Sequence, residues 1–319
     1  MPRSILRPPR LRAGQTIALV SPSGPLTAPD GTTPDTETLE RARARLAEAG
    51  FPTVVAPHAL DARGYLAGRD EDRLHDLHAA FADSGVHAVL CVRGGYGAMR
   101  LLDRIDYDLI RAHPKVFVGY SDVTALHAAL YTHARLVTFH GPMAGRLAGS
   151  DPSPLDALLA AVTQPAPLGA LVNPPGAPAV ETLVAGTAEG VLVGGNAALL
   201  TALLGTPYAP PYDGTILFLE DIVDHAYRLD RKLVHLRLAG ALRAAAGIVV
   251  GETLVRQANS GPALCVREIL DDLIVPLGTP AIYGLACGHG AHQLTLPIGV
   301  RARLDASRGV LSILEPAVA

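Results

Sequence analysis

Short apolar runs alternate with longer stretches in which apolar positions recur every three or four residues. In the first half, the runs predict strands at 16–20, 53–56, 88–92, 116–119 and 136–139. Between them, helical spacing predicts helices at 35–49, 70–83, 97–104 and 122–134. Asp35 is placed to cap the first helix and Gly50 to stop it. Strands of four to six apolar residues with little internal alternation are buried on both faces. Alternating with helices, they indicate βαβ units and a parallel sheet, hence an α/β fold.

The rhythm breaks after a helix at 154–162. Gln164-Pro-Ala-Pro-Leu-Gly169 and Asn173-Pro-Pro-Gly-Ala-Pro178 read as an extended, Pro-rich segment. The expected organisation is therefore a domain at 1–165, a linker at 166–182 and a smaller mixed α/β domain at 183–319. In the latter, strands are expected at 190–193, 215–220, 247–251, 281–285 and 293–297, and helices at 196–204, 226–239 and 263–274. A hairpin at 300–304 and 310–314, turning at Ser307-Arg-Gly309, closes the chain. There is no internal repeat.

Composition narrows the class. Of 319 residues, 49% are hydrophobic and 18% charged, enough apolar mass for sizeable cores and too little charge for a disordered chain. With 4% aromatics and no Trp, those cores must be built from Val, Leu, Ile and Ala. A formal charge of −3 gives no reason to expect nucleic acid or an anionic membrane as partner. Three cysteines, Cys91, Cys265 and Cys287, suit reduced thiols better than a disulfide framework. The opening MPRSILRPPRLRAGQ is basic but lacks the apolar stretch of a secretory signal. No run is long enough for a membrane span. A cytoplasmic protein is expected.

Candidate chemistry gathers at strand ends. Val116-Phe-Val-Gly-Tyr-Ser-Asp-Val-Thr124 runs a buried strand into Ser121, with a helix immediately after. That is the edge where open α/β sheets place their sites, and helix N–H groups there favour developing negative charge. Two readings stand: Ser121 as nucleophile on an elbow, or Ser121 or Asp122 as a helix cap. The hydrolase elbow wants small residues on both sides, and here Gly119 precedes but Val123 follows. Arg93-Gly-Gly-Tyr-Gly97 also links strand to helix, and reads as an oxyanion hole, a phosphate cradle or a plain tight turn. Its spacing fits neither a dinucleotide fingerprint nor a Walker loop.

A serine nucleophile needs a base, and the base an acid. His75, His78, His127, His133 and His235 fall on predicted helices as surface or satisfied side chains. His289, in Gly288-His-Gly290 just beyond a strand, is the first choice of base, and His140 the second. Glu220 and Asp221, where a hydrophobic strand runs into two carboxylates, are the acid candidates. Competing uses are a metal site at Cys287, His289 and His292, whose spacing matches no established zinc pattern, and a Cys287 thiol nucleophile.

Several motifs occur together in order: Ser21-Pro-Ser-Gly-Pro25, Arg93-Gly-Gly-Tyr-Gly97, Gly119-Tyr-Ser-Asp122, Gly194-Gly-Asn196, Leu219-Glu-Asp221, Tyr227-Arg-Leu-Asp-Arg231 and Gly288-His-Gly290. In these the chain resembles the LD-carboxypeptidases and their relatives, the microcin C self-immunity peptidases. The resemblance implies a flavodoxin-like, glutamine-amidotransferase-like N-terminal domain joined to a swivelling C-terminal β/α domain. It implies a triad of Ser121 as nucleophile, His289 as base and Glu220 as acid, with oxyanion N–H groups from Gly95 and Asp122. It implies no metal or organic cofactor, and a homodimer. The substrate implied is a murein tetrapeptide cut before its terminal D-amino acid or, in the immunity branch, an aminoacyl or peptidyl sulfamoyl-adenylate. The absence of Trp, used for adenine stacking in that branch, favours murein. Val223-Asp-His-Ala226 departs from the family's usual Gly-Glu-x-Pro and leaves the pocket wall open. Arg93, Arg228, Arg231 and Arg256 are charge-based candidates for the terminal carboxylate. A catalytically silent binder using the Arg93 loop is the second class of function.

Overall fold

The computed structural model describes residues 4–28, 31, 33–256 and 263–319. The first three residues of the basic opening stretch lie outside them. The chain divides into two compact units: 1–165 with 295–297 and 317–319, and 166–294 with 298–316.

Strands β1 (Thr16–Val20), β2 (Thr53–Val55), β3 (Val86–Cys91), β4 (Val116–Gly119) and β5 (Thr138–His140) belong to the first unit. Next come β6 (Gly169–Leu171), β7 (Glu181–Val184), β8 (Thr187–Asn196), β9 (Ile216–Val223), β10 (Gly247–Val255) and β11 (Ala281–Leu285). Then β12 (Leu296–Ile298) returns to the first sheet, and β13 (Arg301–Asp305) and β14 (Val310–Ile313) complete the second.

The first sheet has the order β12-β5-β4-β3-β1-β2, with β1 through β5 parallel. The chain winds outward in opposite directions from β1 and β3, as in flavodoxin-like sheets, which place ligands beyond the carboxyl ends of the strands at such a switch point. Both faces are covered, and the strands are apolar almost throughout: β4 is buried at every position. Phe81 of helix Asp70–Ala82 stacks on Phe117 of β4 at 6.1 Å between ring centroids. Asp35 caps helix Thr36–Glu48 through the Thr38 N–H.

The second sheet runs β6-β14-β13-β8-β9-β10-β11-β7. Its centre, β8 to β11, is parallel, while β7 on one edge and β13, β14 and β6 on the other are antiparallel.

Three expectations change. The segment read as linker contributes β6, which pairs with β14, and the first residues of β7. Proline spacing marks extended backbone without showing whether an edge will pair it. The expected helix at 122–134 is a 3-10 turn (Ser121–Val123), an α-helix (Thr124–Ala129) and a π segment (Leu130–Ala134). The strand expected to end at Glu220 continues to Val223, so both carboxylates lie inside β9. Tyr107–Ala112 is a helix that apolar spacing did not indicate.

His127, expected to be satisfied, is fully buried, with Nδ1 against Thr138 Oγ1 at 2.9 Å and Nε2 against the Gly119 carbonyl at 2.8 Å. Burial holds its imidazole down at about 3. Unfolded, the ring titrates near its ordinary 6.5. The neutral ring's contribution is therefore complete above pH 6.5 and lost as pH falls towards 3, by at most ~1.4 kcal/mol per pH unit. Urea unfolding at pH 7 and pH 5 should show a larger loss in the wild type than in His127→Gln. Equal losses would remove His127 as the source.

Candidate active site

Strand β4 delivers Ser121 through a bend that few residues tolerate. Ser121 has φ +61°, and Arg135 is the only other non-glycine described residue with positive φ. That conformation crowds the Cβ of an L-residue, at a cost of about 1–2 kcal/mol. Strain of this kind is what a nucleophile elbow requires, and no spacing records it. It also explains the neighbours: a Cβ at Gly119 would stand 2.6 Å from Val123 Cγ1, and one at Gly94 would stand 3.0 Å from Ser121 Cβ. The small residues this elbow needs are thus Gly119 and Gly94, which is why Val123 is tolerated.

The loops after β1 and β3 are tied to one another. The Gly24 N–H donates to the Gly94 carbonyl at 2.9 Å. In a trans peptide, carbonyl and N–H point in opposite directions, so this bond turns the Gly95 N–H away from Gly24. Gly95 donates no backbone hydrogen bond among the described residues, and its φ of +110° is a glycine conformation. The Asp122 N–H lies in the first turn of its helix, beyond reach of that helix's own carbonyls.

The Asp122 carboxylate does cap a helix, though a different one from that expected. It is buried and accepts the Ala98 N–H at 2.8 Å, joining the serine elbow to the end of the glycine loop. Burial pushes its pKa up, opposed by Ala98, Ser23 and the Arg73 charge. Arg73 is itself buried, donates to the Pro22 carbonyl and pairs with Asp70 at 2.6 Å. Asp70 also holds Arg100 at 2.7 Å, and the two arginines bring its pKa down to about 2. Arg73 was missed in the sequence. The available signal was its position four residues before Leu77 and eight before Phe81, a charge on the buried face of helix Asp70–Ala82.

In the second unit, β8 and β9 pair Asn196 directly with Glu220. Glu220 is buried, and its Oε2 accepts from His289 Nδ1 at 2.7 Å. Asn196 Oδ1 accepts the Ala198 N–H as a helix cap, which turns its Nδ2 towards Glu220 Oε1 at 3.1 Å and Asp221 Oδ1 at 3.3 Å. Asp221 is oriented otherwise: Lys232 Nζ reaches it at 2.7 Å, opposing the rise in pKa caused by burial. A Cβ at Gly288 would stand 3.0 Å from Glu220 Oε2, and one at Gly290 would overlap the Glu252 carboxylate at 1.9 Å. The glycines flanking His289 are therefore what let the imidazole loop lie between two carboxylates. Glu252, missed in the sequence, follows Gly251, where the pairing of β10 with β9 shifts register.

The structure separates the remaining candidates. Cys287 is fully buried, and burial pushes its thiol well above the ordinary range, so it is no nucleophile at neutral pH. Among the described residues, Cys287, His289 and His292 do not converge as ligands; the acid and imidazole groups that do are His58, Asp61 and Asp72. His140 is buried at the end of β5 near Tyr120 and His127. Arg93 is exposed and donates to the Pro25 carbonyl at 3.0 Å.

A strained serine at the carboxyl edge of a flavodoxin-like sheet and a buried carboxylate–imidazole pair in a second α/β unit are the groups that hydrolases of the serine type employ. Residues 17–141 match the LD-carboxypeptidase N-terminal domain and residues 189–304 the LD-carboxypeptidase C-terminal domain. The chain belongs to the LD-carboxypeptidase family and is a serine-type carboxypeptidase. A Bacillus subtilis protein named "Probable murein peptide carboxypeptidase" is 39% identical over 94% of this chain and 91% of its own. The muramoyltetrapeptide carboxypeptidase from Oxalobacter formigenes is 30% identical in structural alignment, with a TM-score of 0.79 over 94% of this chain and 99% of that one. The microcin C7 self-immunity protein MccF of Escherichia coli is 26% identical over 96% of this chain and 94% of its own. Its apo structure aligns with a TM-score of 0.90 over 98% and 100% of the two chains.

Backbone strain at Ser121 has a measurable signature. Ser121→Gly should raise unfolding stability by about 1 kcal/mol, because glycine adopts this φ freely, whereas Ser121→Ala should leave it near wild type. A Ser121→Gly variant no more stable than Ser121→Ala would contradict the strain.

Proposed function

We propose that the protein removes the terminal D-amino acid from murein tetrapeptides by way of an acyl-enzyme on Ser121. The observation that carries this reading is the 2.7 Å pair of Glu220 and His289 in a chain of this family. An ionised carboxylate only accepts hydrogen bonds, so the pair assigns the Nδ1 proton of His289 and leaves Nε2 as the basic nitrogen. The reaction requires that nitrogen to take the Ser121 hydroxyl proton as Oγ attacks the carbonyl carbon. The Gly95 and Asp122 N–H groups receive the oxyanion, and Glu220 stabilises the imidazolium. His289 then protonates the leaving amine, and water, activated by the same base, releases the shortened peptide.

The names of the Bacillus and Oxalobacter relatives support murein as substrate. The likeness to MccF keeps open an aminoacyl or peptidyl sulfamoyl-adenylate, and a chain with no Trp lacks the indole suited to stacking on adenine. We place the enzyme in the cytoplasm, whose reducing conditions suit a chain with three cysteines and no disulfide among the described residues, and as a homodimer, following the family resemblance. No described helix is long and apolar enough to cross a membrane.

Mass spectrometry after separate incubation with murein tetrapeptide and with an aminoacyl sulfamoyl-adenylate tests the reading. Release of D-alanine from the first alone is expected, and cleavage of the second alone would overturn it. In the same assay Glu220→Gln should lower kcat by roughly 10²–10⁴-fold, since it removes the charge facing the imidazole. Asp221→Asn should cost a few-fold, because Asp221 faces Lys232. The reverse ranking would reassign the acid.

A further inference from the structure

Beyond Glu220, strand β9 runs three residues further and opens into a pocket of about 230 Å³. Its lining is Ile222, Val223, Asp224, Arg228, Arg231 and Lys232. Lys232 is already committed to Asp221 at 2.7 Å. No carboxylate pairs with Arg228 or Arg231 among the described residues; their recorded side-chain contact is the half-exposed ring of Tyr227, at 5.8 and 5.5 Å from its centroid. Asp224 is the one acid in the lining.

The helix Ala226–Leu238 starts at this pocket. Its first turn carries no acid, and the His225 side chain caps none of its N–H groups. Arg228 in that turn adds a positive charge at the positive end of the helix dipole, an arrangement that disfavours itself until an anion enters. Two unpaired guanidiniums, an uncapped helix start and a concave wall thus converge on one small volume. A guanidinium presents paired donors that match a carboxylate.

Strand side chains alternate, so Glu220 and Ile222 share a face of β9, and the pocket begins about 7 Å along the strand from the carboxylate that holds His289. An exopeptidase that removes one residue must sense the charge that distinguishes a chain end from chain interior. That charge lies one residue beyond the scissile carbonyl, within the length of an arginine side chain. We propose that the pocket is the chain-end sensor: Arg228 and Arg231 bind the free terminal carboxylate of the peptide. This rests on the carboxypeptidase reading above.

The test compares kcat/KM for an acid-terminated murein tetrapeptide and its C-terminal carboxamide in the wild type, Arg228→Ala, Arg231→Ala and the double variant. The wild type should prefer the acid by about 10- to 100-fold, the scale of hydrogen bonds to a charged group. The double variant should lose most of that preference through a raised KM for the acid, with the amide little changed. Arg231→Lys should keep part of it. A folded double variant, or two folded single variants, retaining the wild-type preference overturns the proposal, as does a wild type indifferent to the terminal charge. A wild type that hydrolyses neither peptide overturns the carboxypeptidase reading instead.

Discussion

The first unit is organised around one unfavourable backbone angle. Ser121 is held at φ +61°, and nothing local to a serine favours it. The conformation persists because its surroundings leave no alternative: Val123 fills the space beside Gly119, Gly94 lies against the Ser121 Cβ, and Asp122 is anchored to Ala98. Those anchors are themselves held. Arg73 ties the loop after β1 to helix Asp70–Ala82, and the Gly24–Gly94 bond ties it to the loop after β3. The result is a serine held in a strained turn at the carboxyl edge of the sheet.

The second unit solves a different problem, aiming a buried carboxylate. Glu220 is buried, so each of its oxygens needs a donor from within the protein. Asn196 and His289 supply donors to its two oxygens, and the Asn196 amide is oriented by its bond to the next helix. Asp221, one residue on, is balanced separately by Lys232. Two adjacent carboxylates are thereby given two environments.

Much of this was legible in the sequence. The strands that deliver Ser121 and His289 are short apolar runs ending in glycine-rich turns, and such runs mark buried parallel strands whatever surrounds them. The alternation of β9 likewise separated Glu220 from Asp221. Other features were hidden because they depend on contacts distant in sequence. The strain at Ser121 arises from how Gly94 and Val123 pack, and no motif records a dihedral angle. Arg73 is intelligible only once the Pro22 carbonyl is seen above it. Glu252 comes beside Gly290 through a shift of register between β9 and β10 that apolar spacing does not encode. The edge strand β6 needed β14, more than a hundred residues away, to become a strand.

The central claim is that Ser121 is an activated nucleophile rather than a cap. A fluorophosphonate probe followed by peptide mapping tests it directly, since such probes phosphonylate serine only where a base has raised its nucleophilicity. A single adduct on the peptide carrying Ser121, abolished in His289→Ala, is the result the proposed mechanism predicts. An unlabelled wild type, or labelling indifferent to the loss of His289, would contradict it.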